Sequence, residues 1–158
     1  MRHKSAVHET INESDAPIAY AHCDGPCGIY DPAASRINAE AVLAMTKKLL
    51  ELKKPDPNEG DAHRAYLNTF TRYVAIKEEQ AQKTKDELLI LWTDYFKPPH
   101  LEQFPDLHNT FWQAAKLCSA CKVEVSLEKA QALLETVKKI HEIFWQTKGK
   151  DVPWVTAG

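Results

Sequence analysis

The chain reads as an all-α protein, an up-down antiparallel four-helix bundle preceded by a chemically distinct N-terminal segment. Three observations predict this. Apolar residues recur at three- and four-residue spacing through four long segments. Only five glycines occur, and the nine prolines fall mostly in clusters between those segments. No run of alternating polar and apolar residues is long enough to form a useful strand, and mostly short connections make successive helices antiparallel neighbours.

The elements are taken in order. Asp31-Pro32 is a helix-start signal, a side-chain acceptor followed by proline at the first helical position. The first helix is expected to run to about Leu52, with Ile37, Ala41, Met45, Leu49 and Leu52 on its buried face. Lys53 to Gly60, with Pro55 and Pro57, is a loop, and Asp61 is placed to cap the second helix. That helix is expected to continue unbroken from Asp61 to about Phe96. Its stripe is Leu67, Phe70, Val74, Ala81, Leu88, Leu91 and Tyr95, with Lys77 and Thr84 as polar interruptions. Lys97-Pro98-Pro99-His100 ends it. A third helix from about Pro105 to Cys121 carries Leu107, Phe111, Ala114, Cys118 and Cys121. Ser126 and Glu128 open a fourth, which buries Ala130, Leu133, Val137, Ile140 and Phe144 and ends near Lys148.

At 158 residues the chain is long enough for one domain with a sizeable core. A net charge of −2 gives no electrostatic pull toward nucleic acid or anionic membrane, and no apolar run approaches the ~20 residues of a membrane span. The four cysteines form two close pairs, Cys23/Cys27 and Cys118/Cys121. Disulfides within such pairs would close only tiny loops, so metal ligation or free thiols in a reducing compartment is the better reading.

The first pair sits in His22-Cys23-Asp24-Gly25-Pro26-Cys27-Gly28-Ile29-Tyr30-Asp31, an imidazole and two thiols within six positions. Gly25 permits and Pro26 restricts a turn that lets both sulfurs converge on one ion. Cleavage between Ala21 and His22 would add a terminal amine. That amine, the Cys23 main-chain nitrogen and the two thiolates make a planar N₂S₂ set, with the His22 imidazole available as an axial ligand. Such a set suits Ni(II) or Cu(II) better than tetrahedral zinc. It also brings a higher oxidation state within reach. Residues 1–21 contain Glu9, Glu13 and Asp15 and no apolar core of the kind a secretory signal needs. They are read as a removable leader, residues 22–158 as the functional domain, residues 22–30 as a metal-binding hook and about 31–148 as the bundle.

The hook resembles that of the nickel-containing superoxide dismutases. The run Leu91-Trp92-Thr93-Asp94-Tyr95-Phe96-Lys97-Pro98-Pro99-His100 and the segment Ile143 to Lys148 resemble two further signatures of the same family. The resemblance implies one nickel ion per subunit, Ni(III)/Ni(II) cycling and superoxide as substrate. It also implies a homohexamer of helical bundles and a dedicated peptidase that exposes His22; a cytoplasmic location is expected. It implies metal ligation by His22, Cys23 and Cys27, with Tyr30 and Tyr95 beside the open face of the metal and Asp24 stabilising the hook. Where the family carries a Glu and an Arg that orient the hook imidazole, this chain has Asn38 and Gln80. Two amides there can still hydrogen-bond the ring but tune its basicity less.

Two other readings compete: a non-catalytic nickel or copper carrier built on the same hook, and a bundle with no metal affinity. Cys118-Ser119-Ala120-Cys121 has metal-site spacing, but it lies on an apolar stripe and reads as buried structural thiols. His63, His100, His108 and His141 have no ligand spacing, and Trp92, Trp112 and Trp145 read as packing anchors.

Overall fold

The computed structural model describes residues 28–56 and 58–157. The sequence expectations for His22, Cys23, Asp24 and Cys27, and for cleavage after Ala21, lie outside the described residues. Among the described residues five α-helices are present: α1 (Ala33–Glu51), α2 (Gly60–Ile90), α3 (Pro98–Gln103), α4 (Leu107–Val123) and α5 (Leu127–Thr147). A π-helical turn, Leu91–Tyr95, continues α2 without a break. The long helices α1, α2, α4 and α5 form the four-helix bundle, with α1 and α4 each packed on both α2 and α5. Cross-helix contacts set the antiparallel register. Lys48 lies over the Tyr73 ring, the Trp92 indole donates to His108 Nδ1 at 2.8 Å, and Lys139 pairs with Asp106.

The local chemistry explains the boundaries. Pro32, expected at the first helical position, takes the N-cap position of α1, and Asp31, one residue before it, accepts from the Ala33 amide through Oδ1 at 2.8 Å. Ser126 Oγ accepts from the Lys129 amide at 3.3 Å and opens α5. Gly149, at φ 63°, takes the left-handed conformation that ends it. Asp61 does not cap α2; it sits inside the first turn and pairs with Arg64. The short helix α3 is absent from the sequence expectation, because prolines that stop one helix also suit the first positions of the next.

The core stripes of α4 and α5 are as expected, with all ten named residues buried. Those of α1 and α2 need correction. On α1 the buried face is Ser35, Ala39, Val42, Thr46 and Leu49, rotated from the expected one, and Ile37 is 55% exposed. Burial of hydroxyls costs little here, because Ser35 donates to Pro32 O and Thr46 to Val42 O, each at 2.8 Å. On α2, Thr84 is fully buried in the same way, donating to Gln80 O. Leu67 and Phe70 stay 47% and 38% exposed. Helix lengths give the reason. At ~1.5 Å per residue, α2 and its π turn extend ~54 Å against ~28 Å for α1, so the first turns of α2 overhang the bundle.

Lys77 is the largest departure from simple patterning. Its side chain is 1% exposed, and its ammonium donates to the carbonyls of Cys121, Lys122 and Glu124 at the end of α4. A cation there satisfies carbonyls that the helix itself leaves unpaired and complements the negative end of its dipole. Burial nevertheless holds the Lys77 pKa below 10.5, although the nearby Glu78 charge opposes that shift. Cys118 and Cys121 lie beside this clamp, buried at 0% and 2% exposure. Desolvation, reinforced by Cys121, pushes the Cys118 thiol up to about 12; burial also raises Cys121.

This packing has two measurable outcomes. Lys77→Met removes three charge-assisted hydrogen bonds and is expected to cost about 2–3 kcal/mol in urea unfolding. Between the depressed folded-state pKa and 10.5, the unfolded chain binds more protons at Lys77, so this group makes stability rise with pH across that window. The pH dependence of wild-type minus Lys77→Met stability measures that slope, and a difference that falls toward pH 10 contradicts it. Cys118 and Cys121 are expected to resist thiol-specific alkylation at pH 8 in the native protein and to react in denaturant, as mass spectrometry would register.

Candidate metal centre

The described chain begins at the point where the hook joins the bundle. Gly28, immediately after Cys27, has φ 63°, a left-handed conformation that glycine adopts without strain. Two residues on, the Tyr30 ring packs against Tyr95 with centroids 5.6 Å apart. Asp31 and Pro32 then start α1. From Gly28 onward the chain therefore enters the bundle at its Tyr30–Tyr95 end.

Tyr95 stands at a junction of elements. The π turn closes with the Phe96 amide bonded to Leu91 O at 3.2 Å, a wider ring than that of an α-helix. The added residue re-aims the last turn, so that Phe96 is buried in the core and Tyr95 stays half-buried at the end of the bundle. The Tyr95 ring is held on several sides. Phe144 lies at 4.5 Å, Phe96 meets it edge-on at 4.9 Å, and His100 of α3 stacks on it at 5.5 Å. The Lys148 ammonium sits 5.1 Å from its centroid. The Tyr95 hydroxyl is 2.6 Å from Thr147 Oγ1. His100 Nδ1 accepts from the Lys97 amide at 3.1 Å, so a neutral His100 carries its proton on Nε2. Sequence reasoning does not single out His100, Thr147 or Lys148 as site residues. The only signal for them is their position within the two signatures, since nothing in helical spacing brings residues 100 and 147 to residue 95.

The two predicted tyrosines are thus brought together. The His22 ring that Asn38 and Gln80 are expected to orient lies outside the described residues. Asn38 is half-buried two turns along α1 from Tyr30, and Gln80 lies ~22 Å before Tyr95 along α2. Among the described residues, no group of three His, Cys, Asp or Glu side chains could hold a metal ion. The Cys118/Cys121 thiols are buried with raised pKa values, which makes them poor ligands. The hook, in contrast, offers two thiols and an imidazole within six residues. That donor chemistry fits nickel, a metal served well by thiolate and nitrogen ligands in a plane.

Comparison with known proteins agrees with this reading. The family model for nickel-containing superoxide dismutases matches residues 17–148. Two curated relatives, each named superoxide dismutase [Ni], come from Streptomyces seoulensis and Streptomyces coelicolor. Each is 41% identical over 128 residues, covering 81% of this chain and 88% of its own. A native nickel superoxide dismutase crystal structure matches with TM-score 0.69 and 40% identity, covering 82% of this chain and all of that one. A second, with nickel ligation corresponding to the oxidised state, matches with TM-score 0.71 at the same identity and coverage. A family match over most of the chain, with the bundle and the tyrosine pair in place, makes this chain a member of the nickel-containing superoxide dismutases.

Proposed function

We propose that the mature chain converts two superoxide anions and two protons to O₂ and H₂O₂ at a nickel ion held by residues 22–27. In this reading the ligands are the terminal amine and imidazole of His22, the main-chain nitrogen and thiolate of Cys23, and the thiolate of Cys27. Nickel, when bound, supplies a one-electron couple that oxidises one superoxide and reduces the next. The observation that carries the reading is the seat of Tyr30 on Tyr95, three residues after Cys27, which roots the donor-rich segment beside two phenols. The carrier alternative is not favoured, because the relatives matched over most of this chain are superoxide dismutases.

The chain's own residues would then bind and position. Tyr30 and Tyr95 line the approach to the hook, where their hydroxyls hold water or a small anion and exclude larger ligands. Asp24 braces the hook turn. Asn38 and Gln80 are the proposed hydrogen-bonding partners of the His22 ring. Residues 1–21 form the leader, removed between Ala21 and His22 by a peptidase, because an acylated His22 nitrogen cannot serve as an amine ligand. The working form is a cytoplasmic homohexamer. That assembly and location are what the resemblance to the family implies.

The test is to excise residues 1–21, load nickel and measure superoxide loss. The processed protein is expected to be active and the full chain inactive. Cys23→Ser is expected to lose nickel stoichiometry and activity together, and stoichiometric nickel without turnover in the processed wild type would favour the carrier. Tyr95→Phe is expected to keep nickel and fold while losing about five- to tenfold in activity, the scale of one lost hydrogen bond. In electron paramagnetic resonance of the oxidised enzyme, nitrogen hyperfine structure is expected from the His22 imidazole. Its absence would count against ligation by that ring.

A further inference from the structure

We propose that Thr147, the last residue of α5, is a positioning residue that sets whether the Tyr95 phenol accepts or donates a hydrogen bond at the hook. The proposal rests on the reading that Tyr95 faces the hook. Its basis is a two-link chain. Thr147 Oγ1 donates to Phe144 O at 2.6 Å, satisfying one of the carbonyls that the end of α5 leaves unpaired. A threonine hydroxyl has one proton. With that proton committed to Phe144, the 2.6 Å contact between Tyr95 Oη and Thr147 Oγ1 has the phenol as donor. In this arrangement the phenol proton points into α5. The phenol oxygen is left only as an acceptor, suited to holding a water rather than giving a proton to a reduced substrate.

The alternative arrangement needs no heavy-atom movement. If the Thr147 hydroxyl turns from Phe144 O to Tyr95 Oη, it becomes the donor in the same short contact, and the phenol proton is freed to point toward the hook. Only two O–H bonds rotate, and no bond between heavy atoms is made or broken. The ring itself has little room to follow, because Tyr30, Phe144 and His100 pack around it at centroid distances of 5.6, 4.5 and 5.5 Å. A rigid phenol with two proton orientations, selected by one neighbouring hydroxyl, is what this geometry provides. A valine at position 147 keeps the shape and removes both the acceptor and the donor. A serine keeps both.

The experiment combines a spectroscopic readout on the full, metal-free chain with activity of the processed, nickel-loaded protein. Tyrosine labelled with ¹³C at Cζ reports the hydrogen-bonding state of each phenol, and the Tyr95 resonance is identified by its absence from Tyr95→Phe. Thr147→Val is expected to shift that resonance and to lower activity roughly fivefold at unchanged nickel content. Thr147→Ser is expected to restore both. An unshifted Tyr95 resonance in Thr147→Val overturns the proposal whatever the activity. A shifted resonance with full activity, in a background where Tyr95→Phe is impaired, overturns it as well. Full activity in Tyr95→Phe instead removes the underlying role of Tyr95, and the two failures are thereby told apart.

Discussion

Everything at the functional end of this molecule depends on where the Tyr95 ring is held. It is the point at which the start of α1, the π turn closing α2, α3 and the end of α5 meet, through Tyr30, Phe96, His100 and Phe144. Aromatic contacts at 4.5 to 5.6 Å fix ring orientation as well as position, because edge-to-face and offset arrangements are preferred over arbitrary ones. Tyr30, three residues after Cys27 in the chain, is itself part of this cluster.

At the other end of α4 the same economy appears in polar form. A fully buried lysine would ordinarily be a liability, since desolvating an ammonium is costly. Lys77 tolerates burial because three carbonyls at the end of α4 converge on it. That single side chain ties the middle of α2 to the turn between α4 and α5, next to Cys121. Cys118 and Cys121 are kept protonated and out of reach by the bundle itself.

The link from fold to function then runs through placement. Membership of the nickel superoxide dismutases supplies the metal and the reaction. The bundle supplies a rigid platform with two phenols at the hook's root, one of them wired by hydrogen bonds into the end of α5. The cation of Lys148 lies over the same ring.

The sequence by itself determined the helical class, the four long helices and the full stripes of α4 and α5. Each is encoded locally, in 3-4 spacing or in a cap such as Ser126. Only the tertiary structure decided the rest. The buried face of α1 could not be read from hydrophobicity, since Ser35 and Thr46 hide their hydroxyls against their own helix. Lys77 reads as a break in a stripe until the end of α4 is brought to it. Thr147 and His100 became neighbours of Tyr95 because antiparallel packing joins residues some fifty positions apart or separated by a proline turn. Local spacing records what a residue can do within its own helix, whereas which neighbours complete it is settled when the helix ends converge.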